Sequence, residues 1–165
     1  MFMAKVEVVS NVVKINQAIG DIYGFLADFN RIGALVNMIK QMGGMDNMAQ
    51  MAGAKADDMK KAKEMIENVR FTDDVCYIQV KNMGEIALQI LEREEPKLIK
   101  LGGVVPFEYY LWIQLISDAP YETRLRLTFR AEMNMIYKMM LKGKLEQGIN
   151  GFADALAKIP YSMFR

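Results

Sequence analysis

Histidine is absent from these 165 residues, and cysteine occurs once, at Cys76. Ser-His-Asp triads, Cys-His dyads and histidine-bearing zinc sites all need an imidazole as base or ligand, so composition removes each of them. A single thiol allows neither an internal disulfide nor a thiolate metal cluster, and Cys76 reads as a small buried hydrophobe rather than a nucleophile. An excess of one charge is lacking too. Lys and Arg number 21 against 20 Asp and Glu, a net charge of +1, so no long-range field draws in nucleic acid or an anionic membrane. No stretch approaches the roughly 18 apolar residues of a spanning helix. Met1 to Ser10 alternates polar with apolar residues and shows no basic segment followed by an apolar run. The expectation is a cytoplasmic protein without stable membrane anchoring, without a nucleic-acid partner, and with no residues that call for a metal or cofactor.

What remains is globular: 52% hydrophobic and 25% charged residues suit one domain over residues 1–165, able to bury roughly 70% of its unfolded surface. Lys5 to Ile15 is rich in valine and reads as a strand. Asn16 supplies a helix N-cap, after which Ile19, Ile22, Leu26 and Phe29 recur at helical spacing, predicting a helix over Gln17 to Asp28 and a second short one over about Arg31 to Ile39. Asp57 to Glu67 fits a short solvated helix. From Val69 the period changes. Val75 to Val80, Glu85 to Glu92, Lys97 to Leu101 and Glu108 to Ile116 are strand-like runs broken by Gly84, Pro96, Gly102 to Pro106 and Asp118 to Pro120. Along Glu122 to Met133, Glu122, Arg124, Arg126, Thr128, Arg130 and Glu132 alternate with Thr123, Leu125, Leu127, Phe129, Ala131 and Met133, so one face meets water and the other a core. Leu141, Leu145, Ile149, Phe152, Leu156 and Ile159 then return to helical spacing until Pro160 ends the run.

Between these elements, residues 40–64 form a Met-rich insertion in which Met42, Met45, Met48, Met51 and Met59 sit among glycines and alanines with no aromatic or β-branched residue. Three functional readings apply to it: a lid over a cavity mouth, a homodimer contact, or a site for a partner helix. A loosely packed surface excursion is the plainer alternative.

Two segments resemble a known superfamily. Val12-Val13-Lys14-Ile15-Asn16 runs into Ile22-Tyr23-Gly24-Phe25-Leu26-Ala27-Asp28-Phe29, and Leu145 to Leu156 follows as a last helix; both are similar to the START-like, or SRPBCC, superfamily. That group includes the birch pollen allergen, START lipid-transfer domains and proteins of the polyketide cyclase/dehydrase kind. The resemblance implies an α+β helix-grip fold, a curved antiparallel sheet of about six strands around a long C-terminal helix, with two short helices after the first strand. It also implies a cavity between sheet and helix. The insertion is a departure from the family pattern.

A curved sheet closing on a helix draws its lining from inward strand residues and one helix face. The candidates for ligand binding are Ile86, Leu88, Ile90, Tyr109, Leu111, Ile113, Leu127, Phe129, Met133, Leu145, Ile149 and Phe152. Periodicity cannot separate lining from filling, so a dry core stays open for each. Tyr110 and Trp112 alternate with this set beside Glu108 and Gln114; they mark an outer-face contact or, with the register reversed, the polar end of the pocket. Acid or base catalysis would rest on Glu85, Glu92, Glu108 or Tyr109, and nothing pairs them, so no catalytic residue is assigned. The favoured reading is binding or transport of a hydrophobic, lipid-like or aromatic small molecule. A cyclase-like enzyme and an interaction module built on the insertion are the alternatives.

Overall fold

A computed structural model describes residues 3–41, 66–80, 84–104 and 107–164 of the chain. Eight strands form one antiparallel sheet: β1 (Met3–Val9), β2 (Val13–Ile15), β3 (Ile66–Phe71), β4 (Val75–Val80), β5 (Gly84–Glu94), β6 (Leu98–Gly103), β7 (Tyr109–Ala119) and β8 (Glu122–Asn134). Their order is β1-β8-β7-β6-β5-β4-β3, with β2 also pairing β8. Three α-helices, α1 (Ile19–Leu26), α2 (Phe29–Gln41) and α3 (Met135–Ala157), and a short 3-10 helix at Tyr161–Phe164 complete the described structure. No helix among the described residues is long and apolar enough to cross a membrane.

The expected first strand, Lys5 to Ile15, is interrupted. Ser10 exchanges backbone and side-chain bonds with Leu127: its N–H donates to the Leu127 carbonyl at 2.8 Å, and its Oγ accepts the Leu127 N–H at 2.8 Å. That knot ends β1, and β2 resumes further along β8. Asn16 is not the cap of α1. Ala18 occupies that position without a side-chain hydrogen bond. Asp28 instead caps the next helix, its Oδ1 accepting the Asn30 N–H at 2.9 Å. The chain from Ile66 to Phe71 is strand rather than the end of a solvated helix, because it pairs along β4. The rest of the expected Asp57 helix, and the insertion apart from its first two residues in α2, lie outside the described residues.

The sheet thus has eight strands where about six were expected, the additions being β3 and the split of the first strand. Gly102 and Gly103 lie inside β6, opposite Tyr110 and Tyr109, not in a break after it. The last helix begins at Met135 instead of Leu141, since the Asn134 side chain accepts the Tyr137 N–H at 2.9 Å and stops β8 there.

Packing divides the inner face. α3 lies on β1, β2 and β8, where Ile149, Ala153 and Leu156 are buried against it. α1 covers β7 and meets the C-terminal 3-10 helix, whose Tyr161 stands edge-on to Phe25 at 5.5 Å and donates its hydroxyl to the Leu156 carbonyl. Under these elements Ile99, Leu125, Leu127 and Thr123 have no exposed surface. The Thr123 hydroxyl is satisfied by the Gln17 carbonyl at 2.8 Å.

Candidate functional site

The register settles which residues share a face. Along one inner row, Cys76 opposes Leu88, Gly103 opposes Tyr109, and Tyr109 opposes Ala131, which opposes Val6. Beside it run Ile78 with Ile86, and Leu101 with Leu111 and Phe129. Side chains on alternate strand positions must share this face.

Of the sequence candidates, Ile90, Tyr109, Ile113, Leu127, Met133 and Ile149 are buried. Ile86, Leu88, Leu111, Phe129 and Leu145 are only partly buried and pack against the core. Phe152 is not part of the close-packed contact between α3 and the sheet: it is 45% exposed, and Ala153, with no exposure, takes the seat expected for it. The cause is helical phase. Asn150 accepts the Asn11 N–H at 2.8 Å on the edge of the sheet, and Phe152, two residues on, projects about 200° around the axis from it.

Tyr109 is the one large polar side chain on the inner row. Its ring passes across Gly103, where an added Cβ would run into the Tyr109 hydroxyl and come within 2.7 Å of the Ala87 carbonyl oxygen. Glycine is required there by this close approach. The ring stacks at 6.1 Å on Phe129 and meets Phe107 edge-on at 6.2 Å, while Phe107 touches Tyr137 of α3 at 6.5 Å. The Tyr109 hydroxyl lies 3.5 Å from the Ala87 carbonyl, the outer limit of a hydrogen bond, so its capacity to donate is largely unspent. Burial raises the Tyr109 pKa, with a smaller contribution from the Cys76 thiolate charge, and burial pushes the Cys76 thiol up to about 11. Both groups are neutral near neutral pH.

The other acid–base candidates are drawn elsewhere. Glu85 pairs with Arg70 at 2.8 Å and Glu108 accepts the Tyr110 hydroxyl, both at the surface. Glu92 is exposed. The Nε and Nη2 of its neighbour Arg93 donate to the Ala27 carbonyl at 3.0 and 2.9 Å, closing the end of α1. No carboxylate among the described residues is buried.

Tyr110 and Trp112 take the outer face, which excludes the reversed register. Their rings lie 5.9 Å apart, with Lys100 Nζ over both at 4.8 and 5.5 Å and the Arg130 guanidinium over Trp112 at 5.4 Å. Here lie two hollows of about 290 Å³ each, sharing Trp112 and Arg130. Their aromatic faces are already covered by the protein's own cations, and Arg130 sits 3.7 Å from Glu7. That is a ladder of cross-strand pairs on a solvated face.

Comparison with solved structures identifies the architecture. Norcoclaurine synthase of Thalictrum flavum, a point mutant in complex with a transition state analogue, matches over 100% of this chain and 99% of that one, with TM-score 0.65 and 9% identity. The fold is the START-like helix-grip fold. A START superfamily protein from Mycobacterium smegmatis shares it over 99% of both chains, TM-score 0.55 and 11% identity. Another norcoclaurine synthase structure, in complex with dopamine and hydroxybenzaldehyde, has TM-score 0.60 and 9% identity over 94% of this chain and 86% of that one. No family model and no curated protein matches the sequence. At such identities the helix-grip likeness carries architecture alone.

What the sequence could not supply is the relation between Tyr109 and Gly103. Both residues are visible in it, but their contact depends on a cross-strand register that neither segment encodes by itself.

Proposed function

We propose that the inner face of the sheet, at the end marked by Tyr109, binds a hydrophobic small molecule of aromatic or lipid-like character. One observation carries the reading: Ile78, Ile86, Leu88, Leu111 and Phe129 point inward yet keep solvent access, while Ile90, Ile113, Leu115, Leu125 and Leu127, further along β5, β7 and β8, are buried. Apolar side chains left accessible on the concave side of a helix-grip sheet are an incomplete core, and a ligand completes it. Tyr109 supplies the polar anchor. Its neutral hydroxyl donates to a carbonyl, ether or carboxylate on the ligand, and the stacked Phe129 ring favours an aromatic or planar group beside it. The neighbour bound to dopamine and hydroxybenzaldehyde supports aromatic ligands as a class.

Binding is preferred over cyclase-like catalysis on chemical grounds. A general acid or base works best with a pKa near the operating pH, and burial moves both Cys76 and Tyr109 away from it. The test is titration with the fluorescent probe N-phenylnaphthylamine. Saturable enhancement is expected in the wild type, with loss of binding in Leu111→Trp, whose indole fills the space. Unchanged affinity in a folded Leu111→Trp protein would refute the site.

A further inference from the structure

The first turns of α3 carry an apolar surface that the fold does not use. Met135, Ile136, Met139 and Met140 are 50%, 68%, 81% and 62% exposed, and Met3, paired with Asn134 at the start of β1, is 60% exposed. Six residues, about 9 Å of helix, thus hold four large apolar side chains in water. Lys138, Lys142 and Lys144 flank them, none with an ion-pair partner among the described residues, and no acidic residue occurs between Met133 and Leu145.

We infer that this face docks the protein reversibly on an anionic lipid bilayer. The chemistry is complementary on both counts: unbranched methionines and Ile136 enter the acyl boundary, lysines meet anionic headgroups, and Tyr137 lies at the interface between them. The protein's net charge of +1 gives no long-range attraction, but within a Debye length of about 8 Å the local lysines set the field. A second copy fits less well, because a two-fold contact through this face sets lysine against lysine. The position matters as well. Tyr137 touches Phe107, which touches Tyr109, so the docked face adjoins the open end of the sheet. Docking deepens the proposed function and rests on it for this consequence, that a lipid-like ligand enters and leaves at the membrane surface.

Co-sedimentation with vesicles tests the surface, and N-phenylnaphthylamine titration in the same samples tests the cavity. Wild-type protein is expected to sediment with phosphatidylserine-containing vesicles and not with pure phosphatidylcholine, with binding falling as salt rises. Lys142→Gln with Lys144→Gln lowers the partition coefficient about twenty-five-fold, at roughly fivefold per lysine. Ile136→Ser, Met139→Ser and Met140→Ser together lower it about tenfold or more. Both variants keep the wild-type melting curve and probe affinity, as expected for exposed residues. Equal binding to neutral and anionic vesicles, or no binding to either, overturns the inference. So does a dimer that the triple serine variant dissociates, which assigns the face to a second copy. Vesicle binding without probe binding upholds the docking surface and sinks the cavity reading.

Discussion

One sheet face serves two ends of this molecule differently. At the end under α1, α3 and the C-terminal 3-10 helix, Ile99, Leu125 and Leu127 are closed off completely, and the polar atoms among them are matched, Thr123 to Gln17 and Tyr161 to Leu156. Toward the other end, β4, β5, β7 and β8 present Ile78, Ile86, Leu88, Leu111 and Phe129 only partly covered, with a tyrosine hydroxyl short of a good partner. Strand alternation is identical at both ends. Periodicity therefore says which side chains point inward, and the covering helices decide whether they become core or lining.

The contrast breaks most sharply under truncation. Tyr161→Ala is expected to cost about 3 to 5 kcal/mol, and Leu127→Ala about 2 to 5, because neither hole can collapse. Urea unfolding measures both. Phe129→Ala should cost less than either, about 1 to 2 kcal/mol, since part of its surface already meets solvent. Equal losses at Leu127 and Phe129 would erase the distinction between the ends.

Gly103→Ala sharpens it from another side. The new Cβ collides with the Tyr109 ring and the Ala87 carbonyl, so a loss of about 1 to 3 kcal/mol is expected. Adding Tyr109→Leu should restore part of the stability while removing the anchor for the ligand. No recovery in the double variant would place the clash with the β5 backbone alone.

A smaller effect concerns alkaline pH. Cys76 is raised from 9.0 to about 11 by burial, so the folded state holds its proton more tightly than the unfolded chain does. Its contribution to stability is complete below pH 9.0 and is lost as pH rises through about 11. Cys76→Val should flatten that part of the stability profile. The smallest effect is expected for Phe152→Ala, below about 1 kcal/mol, because the ring is 45% exposed.

Much of the fold was legible where one signal acted alone. Glu122 to Met133 alternates without interruption and is β8; Leu145, Ile149 and Leu156 keep helical spacing and face the sheet. Competing signals hid the rest. Ile66 and Glu67 sit at the end of a lysine-rich helical pattern, yet both belong to β3, where Ile66 pairs with Val80 and Glu67 falls at a register shift. Valines on either side of Ser10 read as one strand until the bond between Ser10 and Leu127 divides them. The helix stripe placed Phe152 inside, although a small residue, Ala153, makes the close contact. The site was legible as a set of inward positions, but the half-covered state of some of them depends on where α3 stops covering the sheet.

The most direct measurement is a methyl-labelled NMR titration with N-phenylnaphthylamine. The account predicts shifts confined to the methyl groups of Ile78, Ile86, Leu88 and Leu111, with Ile99, Leu125 and Leu127 unmoved. Shifts centred on the sealed methyl groups, or none on the inner face at all, would contradict it.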